Sequence, residues 1–425
     1  SVIGASLCID GSISILRTAR RIFCRSGPRV SWAGRAVSNQ GARKQSLLTH
    51  PTAPFYVLLS GMGVLIFMGL LMVLSASGVR SYANSGSSFS ILFRQLIWFG
   101  GGLFLGYAAF KMPTKGWRKI APILLISSAV MLALVFVNGI GLEINGNRNW
   151  IHIGPITIQP SEFSKIALII WGAFILARVE RGEFLRNHGT GALISGFGLI
   201  SLLILGGKDI GTVMVLTLIL LGMLFISGER IPLLLLIGGI CLAAIIALAL
   251  LRPTLLLRLT AFLDPFSAAH YRGLGWQPAH SRMALATGGV FGVGLGGSRQ
   301  KWGNLGPEAH TDFILAVIGE ELGFVGVLIV ILLFYWVVRR AFLIGRTALQ
   351  LDRSFAGLCA KGVGIWIGWQ AFINMGVNLG LLPTKGLTLP LVSYGGSAIL
   401  MNVVAFAVLL KIDYENRILM RGGKL

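Results

Sequence analysis

Residues 231–251 read IPLLLLIGGICLAAIIALALL and contain no charged side chain. A helix needs about 20 consecutive apolar residues to cross the hydrocarbon core of a membrane, so this stretch predicts one transmembrane span. Nine further apolar runs lie at 54–78, 92–110, 120–138, 162–178, 190–206, 212–228, 314–338, 358–379 and 395–410. The sequence therefore predicts an all-α polytopic membrane protein with about ten transmembrane helices.

The composition supports a membrane protein. Hydrophobic residues make up 55% of the chain, charged residues 12%, and the mean hydropathy is +0.79. Soluble domains carry about 25% charged residues, so an ordinary cytosolic enzyme and a disordered chain are excluded. The four cysteines have no CxxC spacing, and Cys241 and Cys359 lie within apolar runs. This pattern argues against a disulfide framework and against a zinc site.

The excess of basic residues predicts the orientation. The chain has 37 Lys and Arg against 15 Asp and Glu, a net charge of +22. Ten spans place both termini on one side of the membrane, and cytoplasmic loops carry the excess of Lys and Arg. With a cytoplasmic N-terminus, the inside loops and the C-terminal tail hold 16 basic residues and the short outside loops hold four. Both termini are predicted to be cytoplasmic, and the long connection 252–312 extracytoplasmic.

Residues 1–50 form a separate segment, with eight basic residues, one acid and no apolar run of spanning length. We interpret it as a basic cytoplasmic N-terminal tail close to anionic lipid. A transit peptide and a nucleic-acid-binding arm are the alternatives. Residues 51–411 are predicted to form the transmembrane domain, and residues 412–425 a cytoplasmic C-terminal tail.

Ionisable side chains at the edge of a span are costly, and each is a site hypothesis. Glu162 and Lys165, at the start of the fourth span, share a helix face and are predicted to form an ion pair. The alternative is a capped helix start with a local pair. Arg148 lies in the preceding outside loop, where it could anchor the chain at the interface or clamp a phosphate or pyrophosphate.

The extracytoplasmic connection 252–312 is rich in glycine, and long loops are uncommon without a function. The segment PEAHTDF, residues 307–313, ends it and contains His310 and Asp312. Asp312 alone could be a helix cap. Glu320 and Glu321 follow within an apolar run, so at least one of them is expected to face a polar cavity or an internal cation.

The segment LPTKGLTLPLVSYGGS, residues 382–397, cannot be a continuous helix because it contains two prolines and three glycines. Irregular backbone at membrane depth is tolerated where it lines a wet cavity. Lys385 is therefore predicted to be a cavity cation. Arg94 and Lys361 lie near span ends, and we interpret them as snorkelling side chains.

Together these motifs resemble the SEDS (shape, elongation, division and sporulation) family. The ten-span layout and four sequence segments carry the resemblance: NGNRNWIHIG with QPSEFSKIA (145–167), GVGLGGSRQKWGNLGPEAHTDFILAVIGEELGFVG (292–326), NMGVNLGLLPTKGLTLPLVSYGGSA (374–398) and KIDYENR (411–417). They cover most of residues 54–417. The third segment and the IDYENR tail favour the cell-division branch of the family over its elongation branch.

The chain departs from the family pattern at three places. Lys208 stands where the family usually has proline. Trp276 replaces the tyrosine of the usual Gly-Tyr-Gln motif, and Pro278 follows this motif. Gly306 is inserted before the PEAH motif. These departures affect loops and leave Asp312 in place.

The resemblance implies a peptidoglycan glycosyltransferase that polymerises lipid II, a disaccharide-pentapeptide on undecaprenyl pyrophosphate, at the outer face of the cytoplasmic membrane. It implies that Asp312 is the essential acid. We predict that Asp312 acts as a general base, because its unperturbed pKa of about 3.9 keeps it ionised at pH 7. The residues predicted to support or bind the substrate are Arg148, Glu162, Lys165, His310, Glu321 and Lys385.

The resemblance also implies partners and a location. The partners would be lipid II, membrane lipid, the class B penicillin-binding transpeptidase FtsI and other divisome proteins, without nucleic acid. The site would be the division septum of the bacterial inner membrane. No cofactor is assigned, and a divalent cation, Mg or Mn, is left open. A lipid II flippase and a non-catalytic divisome scaffold are the alternative functions. The charged motifs at the outer ends of the spans favour chemistry there over transport, which needs a polar path to both faces.

Overall fold

The computed structural model of the chain describes residues 53–144, 146–154, 156–251 and 253–424. The basic tail predicted for residues 1–50 lies outside the described residues. In the described part, ten long helices coincide with the ten predicted spans. They are α1 (Ala53–Ser85), α2 (Ser90–Lys111), α3 (Thr114–Leu134), α4 (Pro160–Glu180), α5 (Arg186–Gly206), α6 (Ile210–Ile226), α7 (Ile231–Leu251), α10 (Ile314–Gln350), α11 (Ser354–Asn378) and α12 (Gly396–Met420).

Two classes of helix differ in how they meet the membrane. Among the described residues, six helices are long and apolar enough to cross it, namely α1, α2, α3, α5, α10 and α12. Helices α4 and α11 do not belong to this set, and they are buried along most of their length. Helix α11 packs against α4, α6, α10 and α12. A helix surrounded by protein needs no apolar lipid-facing surface, so α4 and α11 can carry buried polar side chains.

The C-terminal helix is longer than the sequence predicts. Helix α12 continues to Met420, so most of the predicted tail 412–425 is helical. Glu415 in this last part is 3% exposed and accepts hydrogen bonds from the backbone N–H and the hydroxyl of Thr114, and from Arg353. Asp413 and Arg417 pair one turn apart at 2.7 Å. The contacts of Glu415 fasten the end of α12 to the starts of α3 and α11, whereas the pair of Asp413 and Arg417 lies within α12.

A small sheet, which the sequence analysis does not anticipate, lies between α3 and α4. It consists of β1 (Gly141–Ile144), β2 (Asn147–Ile153) and β3 (Ile156–Ile158), antiparallel in the order β1-β2-β3. Strands of three to seven residues give too weak an alternation to separate them from a loop. Strand β2 carries residues 147–150 of the NGNRNW motif.

The long connection after α7 contains helices α8 (Pro253–Leu263) and α9 (Trp276–Gly288), followed by 3₁₀ turns at Gln300–Trp302 and Gly306–His310. The segment after α9 enters a break in α10 at Gly323, whose φ of 69° and ψ of −167° are not helical. There the N–H of Val293 donates to the carbonyl of Glu320 at 2.9 Å, and the N–H of Phe324 donates to the carbonyl of Gly289 at 2.9 Å. Glycine is required at 323 because other residues rarely adopt this conformation.

The segment between α11 and α12 is irregular, as its prolines and glycines predict. No helix forms from Gly380 to Gly395. This segment and the 3₁₀ turn at Gly306–His310 meet at one end of the bundle. The hydroxyl of Ser393 donates to the carbonyl of Thr311 at 2.5 Å, and the N–H of Tyr394 donates to the carbonyl of His310 at 2.9 Å. Two irregular segments therefore adjoin the start of α10.

Candidate active site

A cavity of about 2130 Å³ lies where these irregular segments meet. Its wall combines the β1–β3 region, the starts of α6 and α12, parts of α2, α8 and α11, and the connection before α10. The charged residues that line it are Arg94, Lys208, Asp209, Arg258, Arg272, Glu308, Asp312 and Lys385. Five cations face three acids, so the wall is suited to an anionic ligand.

Asp312 lies in the wall of this cavity, two residues before α10 begins. Burial raises the pKa of Asp312 to about 7, and the nearby Glu308 carboxylate adds a smaller contribution in the same direction. The expectation of an unperturbed pKa was therefore wrong, because the sequence does not reveal the burial. A carboxyl group that titrates near pH 7 can accept a proton from a hydroxyl group more readily than one with a pKa near 4.

Lys385 also lines the cavity, as predicted for the irregular segment. Burial lowers the pKa of Lys385, and the neighbouring guanidinium of Arg258 lowers it further. Neither cation forms an ion pair with a residue that the structure describes. The next residue, Gly386, has φ of +67°, and a Cβ atom there would lie 3.7 Å from Oδ2 of Asp312. The cations and the acid thus face the same cavity from adjoining segments.

The predicted ion pair of Glu162 and Lys165 is confirmed, with Nζ and Oε1 2.8 Å apart and both side chains buried. It does not line the cavity. Lys165 also donates to Oε1 of Gln370 at 2.8 Å, and its ammonium lies 5.1 Å from the ring centroid of Trp366. Nε2 of Gln370 donates to the carbonyl of Thr388, a cavity residue, at 3.0 Å. The ion pair therefore supports the cavity wall from behind.

Arg148 and His310 lie behind or beside the wall. The Arg148 guanidinium donates to the carbonyl of Val137 at 3.1 Å and to Oδ1 of Asn138 at 3.0 Å, so it ties the sheet to the turn that follows α3. His310 is 7% exposed, and its ring packs edge-on against Tyr394 with centroids 5.3 Å apart. Burial lowers the pKa of His310 to about 4, so the ring is neutral. Their predicted substrate contacts stay predictions.

Glu320 and Glu321 belong to a second polar cluster, away from the cavity lining. Glu321 pairs with Lys301 at 2.7 Å, which confirms the expectation of an internal cation, and both its oxygens accept from the hydroxyl of Ser75. Glu320 accepts from the hydroxyl of Ser298 at 2.5 Å and from backbone N–H groups of the following turn. The cluster holds the connection against α10 and α1. Any contact of Glu321 with substrate stays a prediction.

Sequence reasoning missed several residues of the site. Arg258, Arg272 and Glu308 line the cavity but sit in loops or short helices, where charge carries no signal. Arg94 also lines it, although its position near a span end favoured snorkelling. A search for buried polar side chains would have found three amides of α11, which are Gln370, Asn374 and Asn378. These amides carry no charge, so the cost of ionisable groups within the spans does not identify them.

The carboxylates of the cavity are the side chains that bear on metal binding. Among its described residues, no group of three or more His, Cys, Asp or Glu side chains is placed to hold a metal ion. Two carboxylates, Asp312 and Glu308, lie close enough for one to raise the pKa of the other. Mg²⁺ is often held by one or two carboxylates together with substrate phosphates, so the open question of a divalent cation concerns this pair.

Known proteins resemble the chain over most of its length. The model of a family described as "Cell cycle protein", FtsW/RodA/SpoVE, matches residues 56–418. A protein of Polynucleobacter necessarius named "Probable peptidoglycan glycosyltransferase FtsW" is 52% identical over 370 residues, which are 85% of this chain and 86% of that protein. A protein of Burkholderia thailandensis with the same name is 47% identical over 419 residues, or 96% and 88% of the two chains.

Solved structures show the same fold. RodA, the rod shape-determining protein of Thermus thermophilus, is 26% identical with a TM-score of 0.62, covering 85% of this chain and 97% of RodA. A second solved structure concerns the coordination of polymerization and crosslinking by a peptidoglycan synthase complex. One of its chains is 27% identical with a TM-score of 0.68, and the match covers 85% of this chain and 98% of that chain. These likenesses confirm the resemblance and its division branch. The chain is a multi-pass membrane protein, and it belongs to the FtsW/RodA/SpoVE family of cell cycle proteins.

Proposed function

We propose that the chain is a peptidoglycan glycosyltransferase that polymerises lipid II into glycan strands. Relatives that are 52% and 47% identical are named probable peptidoglycan glycosyltransferases, which supports this class of activity. The observation that carries the proposal is the cavity, which sets a carboxylate with a pKa of about 7 among cations that form no ion pair with the residues described by the structure. Glycosyl transfer from a polyprenyl pyrophosphate needs these two elements, a base for the acceptor hydroxyl and positive charge for the leaving group.

In this mechanism the carboxylate of Asp312 takes the proton of the acceptor sugar hydroxyl. The hydroxyl oxygen forms a bond to the anomeric carbon of the donor sugar, and the bond from that carbon to the pyrophosphate breaks. The pyrophosphate leaves with the electron pair, and Lys385 and Arg258 stabilise its growing negative charge. The proton on Asp312 is then lost to solvent in the cavity, which restores the base.

The lowered pKa of Lys385 fits this role, because burial and, to a smaller degree, repulsion by Arg258 disfavour its charge, and a bound anion would offset both effects. A guanidinium beside an ammonium offers a planar fork and a point charge to the phosphate oxygens. Arg272, on the same wall, could contact the second phosphate. The proposal thus moves the phosphate contacts from Arg148 towards residues that line the cavity.

The test is polymerisation of lipid II by the purified full chain, measured with and without its transpeptidase partner. Asp312→Asn should lower the rate by about 10²–10⁴-fold. Lys385→Gln should lower it by about 10²–10³-fold, the usual cost of one charge-stabilising donor. Asp352→Asn is the matched control, since this exposed aspartate lies in the turn after α10 and its φ of 56° suits asparagine.

A folded Asp312→Asn protein that polymerises at the wild-type rate would overturn the assignment of the base. If Asp312→Asn supports division in cells, the scaffold function would replace the enzymatic one. If vesicles translocate lipid II while polymerisation is absent, the flippase function would replace it.

We further propose the cellular setting implied by the family. The chain acts at the division septum of the inner membrane with both termini in the cytoplasm, and its partner is a class B penicillin-binding transpeptidase. The structural relative from a complex that couples polymerization to crosslinking supports such a partner. Co-purification with the transpeptidase, and cysteine labelling of each terminus from either side of the membrane, test these assignments.

A further inference from the structure

Helix α11 carries three amide side chains on one face. Gln370, Asn374 and Asn378 are spaced four residues apart, so they line up along the helix, and each is at most 1% exposed. Buried polar groups at membrane depth are costly unless they are hydrogen-bonded. The partners of these amides show what the row of side chains holds in place.

Two of the amides bind the backbone of Asp312. Nδ2 of Asn374 donates to the carbonyl of Asp312 at 2.9 Å, and Nδ2 of Asn378 donates to the same oxygen at 2.8 Å. This carbonyl therefore receives two donors from a neighbouring helix. Both lone pairs of the oxygen are used, which fixes the peptide plane that follows the Cα of Asp312.

The same side chains also fix what lies on either side of Asp312. Oδ1 of Asn378 accepts from the N–H of Ala316 at 3.0 Å, so it caps α10, whose own N-cap residue provides no side-chain bond. Nδ2 of Asn374 donates to the carbonyl of Leu387 at 2.6 Å, two residues beyond Lys385. One face of α11 thus sets the start of α10 and the Lys385 segment in a common frame.

We propose that Asn374 and Asn378 are positioning residues that set the place of the Asp312 carboxylate relative to the cavity and to Lys385. The inference rests on the proposed role of Asp312 as the base. Asn374 lines the cavity and Asn378 does not, yet both act through the backbone of Asp312. A reacting group misplaced by about 1 Å can cost about 10²-fold in rate, so two hydrogen bonds on its main chain can govern activity.

The experiment compares Asn378→Leu and Asn374→Leu with the wild-type chain. Leucine has nearly the shape of asparagine but neither donates nor accepts hydrogen bonds. Asn402→Leu is the matched control, because Asn402 is a 1% exposed asparagine of α12 whose Oδ1 accepts no hydrogen bond from the described part of the chain. Binding of fluorescent lipid II counts the folded sites, and the polymerisation rate per site is measured across pH.

We expect Asn378→Leu to bind lipid II and to polymerise it about 10- to 100-fold more slowly per site. Burial is the larger cause of the raised pKa of Asp312. Because a loosened first turn of α10 lets water reach the carboxyl group, the midpoint of the pH profile should move down from about 7. Asn402→Leu should change neither quantity. If Asn378→Leu does not fold, Asn374→Leu, which keeps the cap of α10, should show the same changes to a smaller degree.

An unchanged rate per site in both variants would overturn the inference, and so would a lower rate with the midpoint still near 7, which indicates a structural role alone. Either result would leave the base assignment intact. Activity retained by Asp312→Asn would instead remove the base itself, so the two failures are distinguishable.

Discussion

The rate of polymerisation is predicted to follow the protonation of Asp312. The pKa of this carboxyl is raised from 3.8 to about 7. Only the ionised form can accept a proton, so kcat should fall as the pH falls through 7. The ionised fraction drops from about 90% at pH 8 to about 10% at pH 6, roughly a ninefold loss of rate. An aspartate with an ordinary pKa would lose almost nothing over this range.

Glu308→Gln separates the two causes of the raised pKa. Oε2 of Glu308 accepts a hydrogen bond from Gln277 at 2.6 Å, and the substitution keeps an amide oxygen for that bond while removing the charge. Burial is the larger cause and the Glu308 charge the smaller, so the midpoint should fall by less than half of the difference between about 7 and 3.8. The activity at pH 6 should therefore rise relative to that at pH 8.

The assay is the initial rate of lipid II polymerisation by the purified chain in liposomes at saturating substrate, from about pH 5 to about pH 9. Asp352→Asn serves as the control for a changed charge outside the cavity. A flat profile would refute the role of Asp312 as a base that titrates near neutrality. A Glu308→Gln midpoint equal to that of the wild type would refute the electrostatic coupling of the two carboxylates.

Two other substitutions test the surroundings of the cavity. Gly386→Ala places a side chain at φ of +67°, where the backbone strain costs about 1–2 kcal/mol. Because relief of this strain shifts the segment beside Asp312, kcat should fall. Wild-type kinetics would contradict this account. Glu321→Gln leaves the buried ammonium of Lys301 without its ion-pair partner, which should lower the free energy of unfolding by about 3–5 kcal/mol. Glu183→Gln removes one partner of an exposed pair and should lower it by less than about 1 kcal/mol. Equal melting temperatures for the two glutamate variants would show that the cluster does not hold the connection.

The sequence was sufficient to predict the helices because crossing a membrane demands long apolar runs. All ten predicted runs overlap helices, and the irregular segment at 382–397 was predicted from proline and glycine alone. The break at Gly323 was not predicted, since a single glycine within an apolar run does not distinguish a tolerated helical residue from a break. The break becomes evident only where the segment after α9 enters it.

One acid and one cation of the cavity wall could be predicted from the sequence, whereas Glu308 and most of the cations could not. Asp312 and Lys385 were found because their segments are polar or irregular next to apolar spans. Arg258 could not be found, because a basic residue in a loop has the same pattern whether it faces a cavity or solvent. The pKa of Asp312 also depends on what covers the carboxyl, and the covering residues come from segments distant in sequence.

The amides of α11 connect the fold to the chemistry. The two irregular segments place carbonyl groups inside the bundle that receive no hydrogen bonds from a regular helix or from lipid. Each carbonyl group left without a hydrogen bond would lower the stability of the fold by about 1–3 kcal/mol. Gln370 and Asn374 pair the carbonyls of Thr388 and Leu387. A helix that carries such side chains cannot face lipid, so α11 has to be enclosed by α4, α6, α10 and α12. The cavity consequently lies beside a central helix, whose Asn374 and Asn378 hold the backbone of Asp312 by buried hydrogen bonds.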